Sequence, residues 1–343
     1  MVADLRAIWG DAPSAPFFIV YKARSGSTFL ADVLARHPQV GIAPESNFIP
    51  LALKWARHDY RTIVNEDLIG DLLDNLYAES KFASWDLTRS HLVNYLTSVL
   101  PARIPEVLTA ILKFYCTTKY PGSSIFGMKK GGWYTENTPL LRKLLPQSKF
   151  IHIIRDGRAV FSSSKRAIHS YKGISFEVEA AASALRWTRM VKTFDRMRSD
   201  CNALEIQYEE LITRTEETLK RILTFLEARH DANTIEELLE PHQSTFVDER
   251  NAHLHPNVGT KPKHSRVDAW KEELTPQEIA AFERIAGPTL LQRGYAVQTR
   301  PTNADRVYEI RVRASQFMGG LAGSVKSKCS RMSHSQSSGD PRS

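Results

Sequence analysis

Along the chain, short solid apolar runs alternate with longer stretches whose apolar residues recur every three or four positions. Phe17–Tyr21 is almost wholly apolar, the pattern of a strand buried on both faces. Phe29, Leu30, Val33 and Leu34 then follow at helical spacing as far as His37-Pro38. Gly41-Ile42-Ala43, bracketed by Pro38 and Pro44, predicts a second strand, with a helix starting near Phe48. Leu68, Leu72, Leu73 and Leu76, then Leu92, Tyr95, Leu96 and Leu100, predict several helices within residues 49–118. Further strands are predicted from Ile125 to a Lys129-Lys130 pair, over 150–154 and over 204–208. Helices are predicted over 139–145, from Ala159, over 176–198 and over 218–226. A last one is capped by Thr275 with Pro276 in its first turn. Repeated strand–helix alternation argues for an α/β fold, a central parallel sheet flanked by helices.

The chemistry lies where these strands end. Lys22-Ala23-Arg24-Ser25-Gly26-Ser27-Thr28 joins the first strand to the first helix. A basic loop containing glycine at a helix start is an anion cradle, because helix-start N–H groups are unpaired and the dipole end is positive. The ordinary triphosphate loop would carry a lysine where Ser27 stands and a glycine where Tyr21 stands, so a metal-held triphosphate fits poorly. A serine-rich helix cap is the plain alternative. Glu45 follows the second strand, where a carboxylate can take a proton from an acceptor hydroxyl or cap the next helix. Lys129 and Lys130 deliver a cation to the same rim, or form a solvated pair. Arg155 ends the fourth strand and Ser163 lies eight residues on, about two helical turns, so both can face one anion. His152, inside an apolar strand, reads as a packed histidine.

Composition adds bounds. A chain of 343 residues, 42% hydrophobic and 24% charged, is one large globular domain or one with appendages. No apolar run reaches the roughly 20 residues of a membrane helix. The first 17 residues lack a secretion-signal pattern, and Cys116, Cys201 and Cys329 form no C-x-x-C pair. A cytoplasmic location is therefore expected. The net charge of +8 owes much to residues 300–343, which hold seven Arg or Lys between Arg300 and Arg331, plus Arg342. That Ser-rich, basic stretch is expected to be a disordered tail. Residues 253–266, rich in His, Pro and Lys, read either as a segment closing over a nucleotide or as a solvated loop.

Together, the 21–30 loop and the 150–163 strand–helix segment resemble the sulfotransferases that use 3′-phosphoadenosine 5′-phosphosulfate (PAPS). Leu204-x-Ile206-x-Tyr208-Glu209-x-x-Leu211 and Arg266-x-x-x-Trp270-Lys271-x-x-Leu274 also resemble family segments. The branch that includes tyrosylprotein sulfotransferases and many bacterial relatives is the nearest pattern, through Arg24, His37-Pro38 and Glu45 in that order. The resemblance spans residues 16–296.

The resemblance implies a nucleoside-kinase-like, P-loop sulfotransferase fold over residues 1–299, with a helical insertion at about 49–118. It implies Glu45 as base, with Arg24 and Lys129 (or Lys130) stabilising charge during in-line sulfuryl transfer. Lys22, Arg24, Ser25, Gly26, Ser27 and Thr28 are expected on the 5′-phosphosulfate, Arg155 and Ser163 on the 3′-phosphate, and Tyr208 in the cofactor site. PAPS would be the donor, with no metal. The acceptor is a hydroxyl compound: a small alcohol or phenol, a glycan, a lipid or a protein tyrosine. No nucleic-acid partner is expected, and a homodimer stays open. Two rival readings are a nucleotide or small-molecule kinase, and a non-catalytic nucleotide- or nucleic-acid-binding protein.

Overall fold

The computed structural model describes residues 15–167, 175–197, 199–244, 247, 258–260 and 262–299. The strands are β1 (Phe17–Tyr21), β2 (Val40–Ala43), β3 (Ile63–Val64), β4 (Ala102–Arg103), β5 (Ile125–Lys129), β6 (Lys149–Ile154) and β7 (Ala203–Gln207). Five form one sheet in the order β2-β5-β1-β6-β7, and every pairing in it is parallel. The expected α/β architecture is therefore present. β1 sits in the middle, with Ile19 opposite Lys129 on one side and Ile151 on the other. All five carboxyl ends consequently open on one rim, where ligands of such sheets collect.

Alternation along β1 divides the core. Phe18 and Val20 point into one cluster with Phe150, Phe48, Leu72, Trp85 and Ile111. Phe17 and Ile19 point into the other with Ile151, Ile206, Leu30, Leu34 and Leu219. A strand covered on both faces needs no polar alternation, which is why β1 and β6 read as solid apolar runs.

Residues 49–118 form the expected helical region, with helices Phe48–Trp55, Glu66–Tyr77, Ser80–Ala83, Arg89–Thr97 and Ile104–Lys119. β3 and β4 pair antiparallel within it, a feature the pattern did not announce because two-residue strands leave no period to read. Glu79 anchors the region to the rim: it accepts from Ser46 Oγ at 2.6 Å and from the Asn47 N–H at 2.8 Å.

Several element bounds differ from expectation, three of them beside the site. The helix after β6 begins at Gly157, because Asp156 caps it by accepting from the Arg158 N–H. The long helix spans Ala180–Asp195, not 176–198. β7 ends at Gln207, and Tyr208 opens the helix Tyr208–Thr213 instead of closing the strand. The Thr275 cap is present as a reciprocal capping box with Glu278. His152 is packed, its Nδ1 3.0 Å from Glu205 and its ring against Phe194. Among the described residues no helix is long and apolar enough to cross a membrane. The expected tail at 300–343, residues 253–257 and 261 of the basic segment, the first 14 residues and Cys329 lie outside the described residues.

Candidate active site

The loop after β1 is shaped by two backbone positions in the left-handed region, Arg24 at φ 73° and Gly26 at φ 87°. Gly26 is doubly required: a Cβ there would stand 2.3 Å from the Tyr208 ring. The loop closes on a Ser25 N–H to Lys22 carbonyl bond of 3.2 Å and enters the helix Ser27–Ala35. Ser25 is buried, and its Oγ has no hydrogen-bond partner. A buried hydroxyl left unmatched is costly unless a ligand meets it.

Beside this loop stands a cluster of arginines. Arg24 Nε donates to Ser163 Oγ at 3.1 Å. Arg155 donates to the Arg24 carbonyl at 3.1 Å and to the Arg266 carbonyl at 2.7 Å, and its guanidinium lies 4.3 Å from the Tyr208 ring centre. Burial, and then the nearby charges of Arg155, Arg166 and Arg266, lower the Arg24 pKa to about 10. Burial also pushes Arg155 down. Glu273 meets Arg166 at 2.5 Å and Arg266 at 3.2 Å, one carboxylate among several guanidinium groups. A polyanion would relieve the mutual repulsion of these charges.

Lys22, expected on the 5′-phosphosulfate, has an acidic partner in this structure. Its ammonium pairs with Glu177 at 2.6 Å, and Glu177 also takes Arg186 Nε at 3.1 Å. Arg24, Arg155, Ser163, Ser25, Gly26 and Tyr208 are brought together as the sequence expects.

The other end of the site gathers on Glu45. Tyr21 Oη donates to Glu45 Oε1 at 2.5 Å, Lys129 meets the same oxygen at 3.0 Å, and Lys81 and Lys130 meet Oε2 at 3.0 and 3.6 Å. Lys129 Nζ also donates to Thr28 Oγ1 at 3.1 Å, joining the cradle to the carboxylate. Burial alone would raise the Glu45 pKa. Lys129, Lys81, Lys130 and the Tyr21 hydroxyl outweigh it and hold the carboxyl well below its usual range. Glu45 does not cap the next helix. Asn47 occupies that position, and Ser46 Oγ accepts from the Phe48 N–H at 3.0 Å.

A family model described as "Sulfotransferase family" matches residues 16–232. The chain belongs to the sulfotransferase family. Protein-tyrosine sulfotransferase A of Caenorhabditis elegans is 23% identical over 322 residues, covering 90% of this chain and 75% of that protein. Protein-tyrosine sulfotransferase 1 of Danio rerio is 26% identical over 219 residues, covering 61% of this chain and 52% of that protein. Among solved structures, the sulfotransferase domain from the Curacin biosynthetic pathway superposes with a TM-score of 0.53 at 20% identity, covering 82% of this chain and 98% of that domain. The sulfotransferase domain of the Synechococcus PCC 7002 olefin synthase gives 0.52 at 21% identity, covering 84% of this chain and 98% of that domain. These likenesses show the sulfotransferase fold.

Several residues of this sulfotransferase site were not singled out by sequence reasoning. Tyr21 read only as the end of a strand, although a lone hydroxyl at the rim end of an apolar run was a signal. Arg166 was visible only as a basic position in an expected helix, and Arg266 only as the start of a family-like segment; their convergence on Arg24 was not. Lys81 gave no signal at all. It stands 36 residues from Glu45, inside the helical region.

Proposed function

We propose that this sulfotransferase moves a sulfuryl group from PAPS to an acceptor hydroxyl by in-line attack, with Glu45 as general base. The observation that carries the reading is the position of Lys129: one ammonium touches both the loop threonine and the carboxylate. The unmatched Ser25 hydroxyl and the repelling arginines fit a ligand with anionic groups at two points.

PAPS supplies an activated sulfuryl group as a phosphosulfate anhydride. Arg24, the Ser25 hydroxyl and the N–H groups from Gly26 to Thr28 would hold its 5′ end, and Arg155 with Ser163 its 3′-phosphate. The Tyr208 ring carries the Arg155 guanidinium on its face. Glu45 is ionised at neutral pH, since its lysines hold it there, and accepts the hydroxyl proton as the acceptor oxygen forms its bond to sulfur. Lys129, rather than Lys130, would meet the charge that grows on the leaving oxygen, a reading supported by its contact with Thr28 of the loop. As that charge draws the ammonium, the carboxylate loses its main electrostatic partner and becomes a stronger base. General-base assistance of this kind contributes about 10²–10⁴-fold.

The relatives named for protein tyrosine make a peptide tyrosine the first acceptor to test, ahead of small phenols, glycans and lipids. We propose a cytoplasmic location, supported by an exposed Cys201 that pairs with no cysteine among the described residues. The decisive experiment uses labelled PAPS with a panel of tyrosine peptides, phenols, glycans and lipids, read by mass for an added sulfuryl group. Glu45→Gln should cut turnover by about 10²-fold or more while adenosine 3′,5′-bisphosphate (PAP) binds as before. Wild-type turnover in that variant would remove Glu45 as the base. Tight ATP binding with weak PAP binding would favour the kinase reading instead.

A further inference from the structure

β1 ends on a side chain that turns back into the site. The Tyr21 phenol is buried, and its O–H donates to the Glu45 oxygen that Lys129 also meets. Its ring lies 5.2 Å from Lys129 Nζ. The Tyr21 backbone is clamped as well: its N–H donates to Thr135 Oγ1 at 2.9 Å, and that hydroxyl donates back to the Tyr21 carbonyl at 2.9 Å. Gly131 leaves room for this arrangement, since a Cβ there would stand 2.7 Å from the Tyr21 carbonyl and 3.0 Å from its ring.

We infer that Tyr21 is a positioning residue for the general base: its O–H aims Glu45 Oε1 from the end of the central strand. The inference rests on the reading of Glu45 as base. Three lysines attract Glu45, but an ammonium on a flexible stem attracts a carboxylate without orienting it. Tyr21 supplies the orientation, because its backbone is clamped and its hydroxyl has one short, directed bond. Burial, and then the Glu45 charge, keep the phenol well above its ordinary pKa. Tyr21 therefore stays protonated, donates the hydrogen bond and does not compete as base. Its register explains the geometry: Tyr21 is the last residue of the central strand, so its side chain reaches the rim between the ends of β2 and β5.

Other charged groups face Glu45 from the elements around it. Lys129 and Lys130 come from β5 and the turn after it, Lys81 from the short helix Ser80–Ala83, and Glu79 stands behind Lys81 and Lys130. Tyr21→Phe leaves all of these in place and removes only the oxygen. The Glu45 titration midpoint should then rise by about one pH unit, the effect of losing one hydrogen bond to a charged group. Misaimed, the base should also lose about tenfold in turnover.

The test compares wild type, Tyr21→Phe and Glu45→Gln. Carboxyl-labelled glutamate is followed by ¹³C NMR against pH, and the resonance absent in Glu45→Gln identifies Glu45. PAP affinity by calorimetry and the melting temperature verify that each variant is folded, and unsubstituted phenol, which keeps its proton at neutral pH, serves as the acceptor probe for rate against pH. The expected result is a raised Glu45 midpoint in Tyr21→Phe, a matching shift of the acidic limb of the rate profile, and unchanged PAP affinity. An unmoved midpoint, or an unmoved limb with full turnover, overturns the role of Tyr21. If Glu45→Gln collapses the rate meanwhile, the base assignment survives that failure. If Glu45→Gln turns over like wild type, the base assignment itself has failed. The titration arm needs no acceptor, so it decides the Tyr21–Glu45 coupling in either case.

Discussion

Replacing Arg155 with alanine tests the proposed nucleotide site most directly. The side chain is buried, donates to two carbonyls from segments 111 and more residues away, and leaves Nε without a hydrogen-bond partner. In the proposed complex its fork meets the 3′-phosphate. A hydrogen bond to a charged group contributes about 1.5–3 kcal/mol, and each 1.4 kcal/mol is about tenfold in Kd. PAP affinity should therefore fall about ten- to a hundredfold or somewhat more. Part of any loss is structural, because the Arg24 and Arg266 carbonyls lose their donor. Relief of repulsion on Arg24 acts in the opposite direction. Both terms cancel when adenosine 5′-monophosphate, which lacks the 3′-phosphate, is titrated alongside PAP. By calorimetry, wild type should prefer PAP clearly over the monophosphate, and Arg155→Ala should lose most of that preference. Arg155→Lys should retain an intermediate preference, since it keeps the charge but not the planar fork. An unchanged PAP-to-monophosphate ratio in Arg155→Ala would take Arg155 off the 3′-phosphate, whatever the absolute affinities.

Gly26→Ala should lower the melting temperature and weaken PAP binding together, because the left-handed φ costs about 1–2 kcal/mol and the new methyl meets the Tyr208 ring; equal stability and affinity would contradict the loop geometry. Arg158 pairs with Asp156 at 2.6 Å and with Glu283, and stacks 3.9 Å from the Trp270 ring, all in the interior. Arg158→Ala, read by urea unfolding, should cost about 3–5 kcal/mol because it strands buried carboxylates; a loss below about 1 kcal/mol would mean that those groups are solvated. Acid stability should depend on Glu45. Its folded pKa lies below the unfolded value, so its contribution is complete above the ordinary carboxylate range and disappears as pH falls through the folded value. The melting-temperature gap between wild type and Glu45→Gln should thus be widest above about pH 5 and narrow below it; a gap independent of pH would show that the lysines do not hold the carboxylate as described.

Much of this architecture is written in neighbouring residues. β1, β5 and β6 are legible because strands covered on both faces must be apolar throughout. The cradle is legible because Arg24 to Thr28 are contiguous and a glycine marks the left-handed turn. Arg155 and Ser163 share a strand–helix junction, so their common direction follows from helix pitch alone. Glu45, Lys129 and Arg155 each stand at or just beyond the carboxyl end of a strand of one parallel sheet, which is enough to place them on one rim.

Charge partners belong to the tertiary structure. Lys22 lies in the loop that reads as an anion site, yet it pairs with Glu177, 155 residues away, which the helix Ala180–Asp195 holds beside it. Lys81 reaches Glu45 only because Glu79 fastens the helical region to the rim. Burial and the charges of Arg155, Arg166 and Arg266 lower the Arg24 pKa only once packing has made these groups neighbours. Periodicity and turn chemistry act over a few residues, so sequence carries them openly. The strength of a charge pair depends on the distance and burial of groups far apart in the chain, and those are set when the elements pack.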